Sequence, residues 1–307
     1  MALSPDGRRL VSAGGIASQP LLVWDIDHDV HKAAVPEGHM KSLTTCAWSP
    51  DGKLVASASQ DGTVRIWDAQ TFQQRDLLEY TQAVSSPRQL QFSPDGQYLA
   101  WVSYSPSEDC NVQSHSCNIW RPFREKQVTT VRLPSYSSDG GDCISALSFD
   151  RESRRVATAH GSWGGPMEDH VVRIWDVRTG APLSVLAGHT WPVTDVSFSP
   201  DGISILSASC DGSSKIWDVD SGEEIARLVG DGEEFMKARF SPDGKYIATT
   251  LSGGEVRLWR ADNFQCTAVL REHTCDVLHI AFSPDGKILA SGDLRGIVHI
   301  RRLSEFV

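Results

Sequence analysis

The sequence predicts an all-β protein, a seven-bladed β-propeller of four-stranded antiparallel blades, and three observations predict it. A four-residue turn, SPDG, recurs at Ser4, Ser49, Ser93, Ser199, Ser241 and Ser283, with a worn copy, Asp150-Arg151-Glu152-Ser153, filling the one gap. Six of the seven units follow that turn with a tryptophan, usually beside an aspartate: Trp24, Trp67, Trp120, Trp175, Trp217 and Trp259. Self-similarity at a period of about 40 to 45 residues is the mark of a repeat architecture.

Each unit carries four short strand patterns. In the fifth they are the stretch from Val193, the stretch from Ile203, Ser214 to Asp218, and Glu224 to Leu228, separated by turn residues. Alternating or apolar runs of this length bounded by Gly, Pro, Asp and Ser read as strands. Between the first two, Pro pre-sets φ and Gly tolerates a positive φ, so Pro-Asp-Gly has the chemistry of a tight turn. One such meander cannot bury both faces alone, and radial stacking of seven buries them against neighbours.

Along the chain the repeats fall at residues 1–38, 39–82, 83–139, 140–188, 189–230, 231–272 and 273–307, and no composition break divides them, so a single domain over 1–307 is expected. The first has only Met1-Ala2-Leu3 as a stub of an inner strand, and the seventh ends at Ser304-Glu305-Phe306-Val307, just after its third strand. The first and last blades are therefore expected to be incomplete. An open edge there, or a longer polypeptide, is the corresponding expectation.

The 307 residues carry a formal net charge of −10, which argues against a nucleic-acid surface. No apolar run approaches a membrane span, and the N-terminal residues lack a signal peptide's apolar core. Seven cysteines without regular spacing fit a reducing compartment. The expectation is a cytoplasmic or nuclear protein without membrane insertion or nucleic-acid binding, with the oligomeric state undetermined.

The units resemble WD repeats, and the likeness covers essentially the whole chain. In unit two His39, Ser49, Ser57, Asp61 and Trp67 are 10, 8, 4 and 6 residues apart in succession, and His189, Ser199, Ser207, Asp211 and Trp217 in unit five repeat those offsets. The resemblance implies two hydrogen-bonded structural tetrads, His39, Ser57, Asp61 and Trp67 in one blade and His189, Ser207, Asp211 and Trp217 in another. Unit four keeps Thr158, Asp169 and Trp175 but has Gly140 for the His, unit six has Asp231 and Gly253 for His and Asp, and unit seven has Arg295 and Arg301 for Asp and Trp. Blade seven is expected to be the softest.

The interval from the turn serine to the tryptophan is 18 residues in units two, five and six, but 27 in unit three and 25 in unit four. Antiparallel strands put second-to-third loops and blade-to-blade loops on one face, so the extra length forms a ridge over blades three and four, spanning Tyr104–Cys117, Ser135–Cys143 and Gly161–Glu168. Loops on a rigid scaffold are where binding resides. The candidate partner-binding residues are Trp163, Met167 and Trp191 as anchors, with Glu168 beside them. By position Met40, Lys41, Gln60, Cys210, Cys275 and Asp276 join them.

Cys110, His115 and Cys117 match no zinc module, so no metal is expected. The chain has no nucleophile elbow, phosphate loop, H-E-x-x-H or dinucleotide fingerprint, and a Ser-His-Asp grouping packed with a Trp N–H is structural, so neither catalysis nor a cofactor is expected. The resulting reading is a non-catalytic scaffold for other proteins or peptides. Trp175-Asp176-Val177-Arg178 resembles a signature of cullin-RING ubiquitin-ligase substrate receptors, with Arg178 as the possible adaptor contact. A C-terminal sensor propeller of a larger signalling protein is the third reading.

Overall fold

In the computed structural model, residues 2–13, 21–26, 30–34, 38–79, 87, 89–106, 113–123, 143–163 and 167–306 are described. Contacts divide the chain into two compact units, 1–141 and 142–307, and the boundary falls in the long link between repeats three and four. The fold class is a seven-bladed all-β propeller, with three blades in the first unit and four in the second.

In the first unit, blade one pairs β1 (Ala2–Leu3), β2 (Arg9–Ser12), β3 (Leu22–Asp25) and β4 (Val30–Ala34) in order, its inner strand a two-residue stub. Blade two pairs β5 (Leu43–Trp48), β6 (Leu54–Ser59), β7 (Thr63–Asp68) and β8 (Gln74–Glu79). Blade three has three strands among the described residues: β9 (Gln89–Phe92), β10 (Leu99–Pro106) and β11 (Gln113–Trp120).

In the second unit, blade four is β12 (Ile144–Phe149), β13 (Arg155–His160), β14 (Val171–Asp176) and β15 (Pro182–Ala187). Blade five is β16 (Val193–Phe198), β17 (Ser204–Ser209), β18 (Ser213–Asp218) and β19 (Glu224–Val229), and blade six is β20 (Phe235–Phe240), β21 (Tyr246–Leu251), β22 (Val256–Arg260) and β23 (Cys266–Leu270). Blade seven has β24 (Val277–Phe282), β25 (Ile288–Asp293) and β26 (Val298–Arg302), three strands among the described residues.

The SPDG turns show why this motif is reused. Ser49 Oγ donates to Asp51 Oδ1 at 2.6 Å and accepts from Leu54 N at 2.9 Å, while Lys53 N donates to the same carboxylate at 3.0 Å. Gly52 closes the turn at φ +69°, where a side chain would be strained. In the worn copy Ser153 takes that place at φ +58°, and Asp150 Oδ1 supplies the missing acceptor to Arg154 N at 2.8 Å and Arg155 N at 3.0 Å. One carboxylate at the head of the turn replaces the Ser–Asp pair.

Hydrophobic clusters lie between consecutive blades. Ala157, Val172, Ile174 and Leu186 of blade four pack with Val196, Phe198, Ile205 and Trp217 of blade five. Leu206, Ile216 and Leu228 meet Phe235, Ile247 and Trp259 of blade six, and in the first unit Ala56, Ile66 and Leu78 meet Phe92, Leu99 and Trp101. Each fully buried side chain of this size contributes about 1.5–3 kcal/mol, so a blade is stable through its neighbours.

The insertion in blade three differs from the loop expected over Tyr104–Cys117. It lengthens the second hairpin instead, with β10 and β11 paired from Leu99↔Trp120 to Pro106↔Gln113. Backbone groups in a long excursion need partners, and extending the ladder supplies them. Residues 107–112, including Cys110, and 135–142, including Gly140, lie outside the described residues.

Candidate functional site

Two kinds of polar construction occur, one inside the blades and one on their loops. Inside blade five, Trp217 Nε1 donates to Ser207 Oγ at 2.8 Å, His189 Nε2 meets the same hydroxyl at 2.7 Å, and His189 Nδ1 meets Asp211 Oδ2 at 2.7 Å. Blade two repeats it, with Trp67 Nε1 to Ser57 at 2.7 Å, His39 Nε2 to Ser57 at 2.8 Å and His39 Nδ1 to Asp61 at 3.0 Å.

Burial pushes both imidazoles below their ordinary pKa, against the opposing pull of Asp61 or Asp211. Burial alone would raise the two carboxyls, but hydrogen bonds from His, Thr63 or Ser213, and backbone N–H groups hold them low. The pairs are therefore neutral imidazole against ionised carboxylate. The serine hydroxyl is committed to a tryptophan and buried, so this Ser-His-Asp set ties strands together and presents no nucleophile to solvent.

The other blades reach a similar end with different residues. In blade four Trp175 Nε1 donates to Thr158 Oγ1 at 2.8 Å, and the imidazole comes from His160, whose Nε2 lies 2.7 Å from that hydroxyl. In blade seven His273 bonds Ser291 at 2.8 Å, and its carboxylate partner is Asp293 at 3.0 Å, where the offset had put Arg295. Both substitutes sit two residues after the hydroxyl, in the same strand. A template that fixes the offsets passes over them, whereas the i, i+2 spacing of same-face strand positions admits them as candidates without choosing between the two places.

Blade six replaces the His–Asp pair with ions. Trp259 Nε1 keeps its bond to Thr249 at 2.8 Å, while Arg257 pairs with Asp231 at 2.8 Å and with Glu255, which also binds Arg271 at 2.8 Å. In blade five Lys215, unremarked in the sequence, is buried with Nζ 2.8 Å from Gly188 O and 2.6 Å from Glu224, above the Trp217 ring.

On the loops of the second unit, Trp163 and Trp191 come together with ring centroids 5.4 Å apart and planes at 58°, yet remain 65% and 47% exposed. Gly161 makes this possible. At φ +134° it has no room for a side chain, since a Cβ would lie 2.7 Å from Pro192 Cα and 2.8 Å from His170 Cδ2. Its neighbour Ser162 accepts a hydrogen bond from His170 Nε2 at 3.3 Å, and Ser209 Oγ donates to Trp191 O at 2.9 Å, which anchors both loops.

Met167 is 58% exposed and opens a short 3-10 turn, Met167–Asp169, with Glu168 also exposed. Cys210 is half-buried, its thiol pushed up to about 12 by burial and then by Glu234. Asp276 is turned to the scaffold, accepting from Gly253 N at 2.8 Å. In the first unit Met40, Lys41 and Gln60 are exposed, and Met40 N donates to Asp61 at 2.9 Å. Cys117 is buried and its thiol is raised to about 12 by burial, which disfavours the thiolate a metal would need. Arg178, on the turn after β14, is exposed.

These features define a class: a repeat scaffold held by internal polar tetrads, with its conspicuous exposed side chains on loops. Residues 32–68, 180–218, 222–260 and 264–300 match the family model described as WD domain, G-beta repeat, and the chain belongs to the WD-repeat β-propellers. It is similar to the periodic tryptophan protein 2 homolog of Dictyostelium discoideum, 27% identical over 195 residues, 64% of this chain and 19% of that protein. Similar too are the serine-threonine kinase receptor-associated protein of Gallus gallus, 28% identical over 63% of this chain and 47% of that one, and the guanine nucleotide-binding protein G(I)/G(S)/G(T) subunit beta-1 of Homarus americanus, 27% identical over 57% and 46%. The chain thus spans from about a fifth to a half of the length of these relatives. Among the described residues no helix is long and apolar enough to cross a membrane.

Proposed function

We propose that the chain is a non-catalytic protein-interaction scaffold whose partner docks on the loops of blades four and five around Trp163, Trp191 and Met167. The observation that carries this reading is the exposed tryptophan pair, held on loops that are themselves hydrogen-bonded to the blades. Leaving two large aromatics half in water forgoes burial energy that a partner would recover, and such side chains are the usual anchors of an interface. Glu168, Met40, Lys41, Gln60, Cys210 and Asp276 remain proposed contacts around the anchors or on the first unit's loops. Relatives whose printed names describe a receptor-associated protein and a subunit of an assembly support the same class.

The test is affinity capture from native extract with the chain and its Trp163→Ala/Trp191→Ala variant. A partner that binds about a hundredfold more weakly to a variant of unchanged melting temperature supports the reading. Equal capture by both removes it. A second reading, substrate receptor of a ubiquitin ligase, draws on the exposed position of Arg178 after Trp175 and Asp176. Loss of adaptor pull-down on Arg178→Ala would support it, and failure of the unsubstituted chain to bring down the adaptor would dismiss it.

A further inference from the structure

Between adjacent blades, on the side of the SPDG turns, an arginine twice fills the same niche. Arg9 and Arg155 each stand five residues after the first residue of their turn. The Arg9 guanidinium lies 4.6 Å from the centroid of Trp48 in the next blade, and its Nη1 donates to Ala69 O at 2.7 Å. The Arg155 guanidinium lies 5.9 Å from the Phe198 ring of its next blade, with Nη2 donating to Gly202 O at 3.3 Å and Nε to Asp150 Oδ2 at 3.0 Å. A planar cation that stacks on an aromatic face and offers several donors at once suits such a place.

In blade five the same position is Ser204, where the other blades have Arg9, Leu54, Tyr98, Arg155, Tyr246 or Ile288. Ser204 is the smallest of these, and with it the junction of blades five and six contains a cavity of about 460 Å³. The walls of that cavity correspond to those around the two arginines. Phe240 stands where Trp48 and Phe198 do, Gly244 where Gly202 does, and Ala261 where Ala69 does. Ile225 extends the apolar wall and is exposed, while Ser204, Phe240 and Ala261 are half-buried, so the cavity opens to solvent. Its volume is that of a side-chain or small-ligand site.

Two carboxylates line it, Asp201 and Asp243, against one cation, the exposed Arg151. Each carboxylate uses Oδ1 to hold its own turn, accepting from Ser199 Oγ and Ile203 N, or from Ser241 Oγ and Lys245 N. The bond from Ser199 holds the Asp201 carboxyl below its ordinary range; burial opposes the same effect at Asp243, which the bonds from Ser241 and Lys245 nevertheless keep low. Both are exposed anions, fixed in place by the turn.

We propose that this cavity binds an arginine side chain of a partner protein. The guanidinium stacks on Phe240 and donates to the carbonyls of Gly244 and Ala261, as Arg155 and Arg9 do between their own blades. Its aliphatic stem lies against Ile225, and Asp201 and Asp243 supply the countercharge. The turns that build the cavity lie at the opposite ends of the strands from the loops of Trp163 and Trp191, so this surface is additional to the one proposed above.

The experiment titrates isotope-labelled protein with glycine-serine peptides that carry a single arginine, lysine or citrulline, and follows the amide resonances of Ser204, Phe240 and Gly244. Saturable shifts are expected there with the arginine peptide. Citrulline keeps the shape without the charge and should bind roughly tenfold or more weakly, and lysine, which lacks the planar fork, should also bind more weakly. Ser204→Arg supplies the guanidinium from the chain itself, so it should abolish the peptide shifts and raise the melting temperature. Asp201→Asn should weaken binding, whereas Asp51→Asn, the same turn carboxylate in blade two, should leave it unchanged. Should Ser204→Arg not fold, the citrulline comparison on the unsubstituted chain carries the test. Equal binding of the three peptides, no saturable shift at these amides with millimolar arginine peptide, or an undiminished response in folded Ser204→Arg overturns the proposal.

Discussion

Ser207 shows how much one small side chain can hold. Its hydroxyl accepts from Trp217 Nε1 and meets His189 Nε2, and none of the residue is accessible to water. Ser207→Ala leaves two buried polar groups without a partner, each costing about 1–3 kcal/mol, so a loss of about 3 kcal/mol in urea unfolding is expected, with no change in overall fold. The pH dependence follows from His39 and His189. Their folded pKa values lie below the ordinary 6.5, so below that pH the unfolded chain binds more protons than the folded one. Stability from these groups is full above pH 6.5, declines as the pH falls from 6.5 towards the folded values, and levels off below them. Unfolding free energies measured at pH 7.5 and 5.5 should fall on acidification, and the fall should be smaller in His189→Gln; a stability that rises on acidification would contradict the neutral-imidazole assignment.

At the scale of the element, the contrast between β18 and β26 matters most. The third strand of blade five is buried at five of its six positions, whereas the third strand of blade seven alternates between exposed and half-buried and pairs with β25 alone among the described residues. Blade seven also has Arg301 at the tryptophan position, ion-paired to Glu272, although His273, Ser291 and Asp293 still make a three-member network. Amide hydrogen exchange should therefore be faster in β26 than in β18 by several orders of magnitude, since local opening follows burial and pairing. Equal protection of the two strands would mean that blade seven is as firmly held as blade five. The worn turn in blade four makes the complementary point, for Ser153 adopts the glycine conformation with its own N–H bonded to Asp150 O at 3.1 Å and the next two N–H groups held by the Asp150 carboxylate.

For the whole molecule, capture of a partner by Trp163 and Trp191 should be indifferent to Lys245→Met, an exposed change on a blade-six turn away from that pair. Fold class and strand order were legible because SPDG and the tryptophan recur with the period of a sheet that needs neighbours on both faces. The members of the blade-two and blade-five networks could be picked out by offset alone. His160 and Asp293 could not, because a strand lets a residue two places along reach the same neighbour, and only coordinates tell which one does. The lengthened hairpin of blade three was read as a loop because composition alone does not reveal where backbone groups find partners. What the sequence determined by itself is everything local and periodic: turns, strands, the number of blades. Tertiary structure alone decided that Trp163 meets Trp191 through the gap left at Gly161, and that Lys237 and Arg239 of blade six reach Asp195 of blade five. Those contacts join residues far apart in the chain, and close packing fixes them only once the strands are in place.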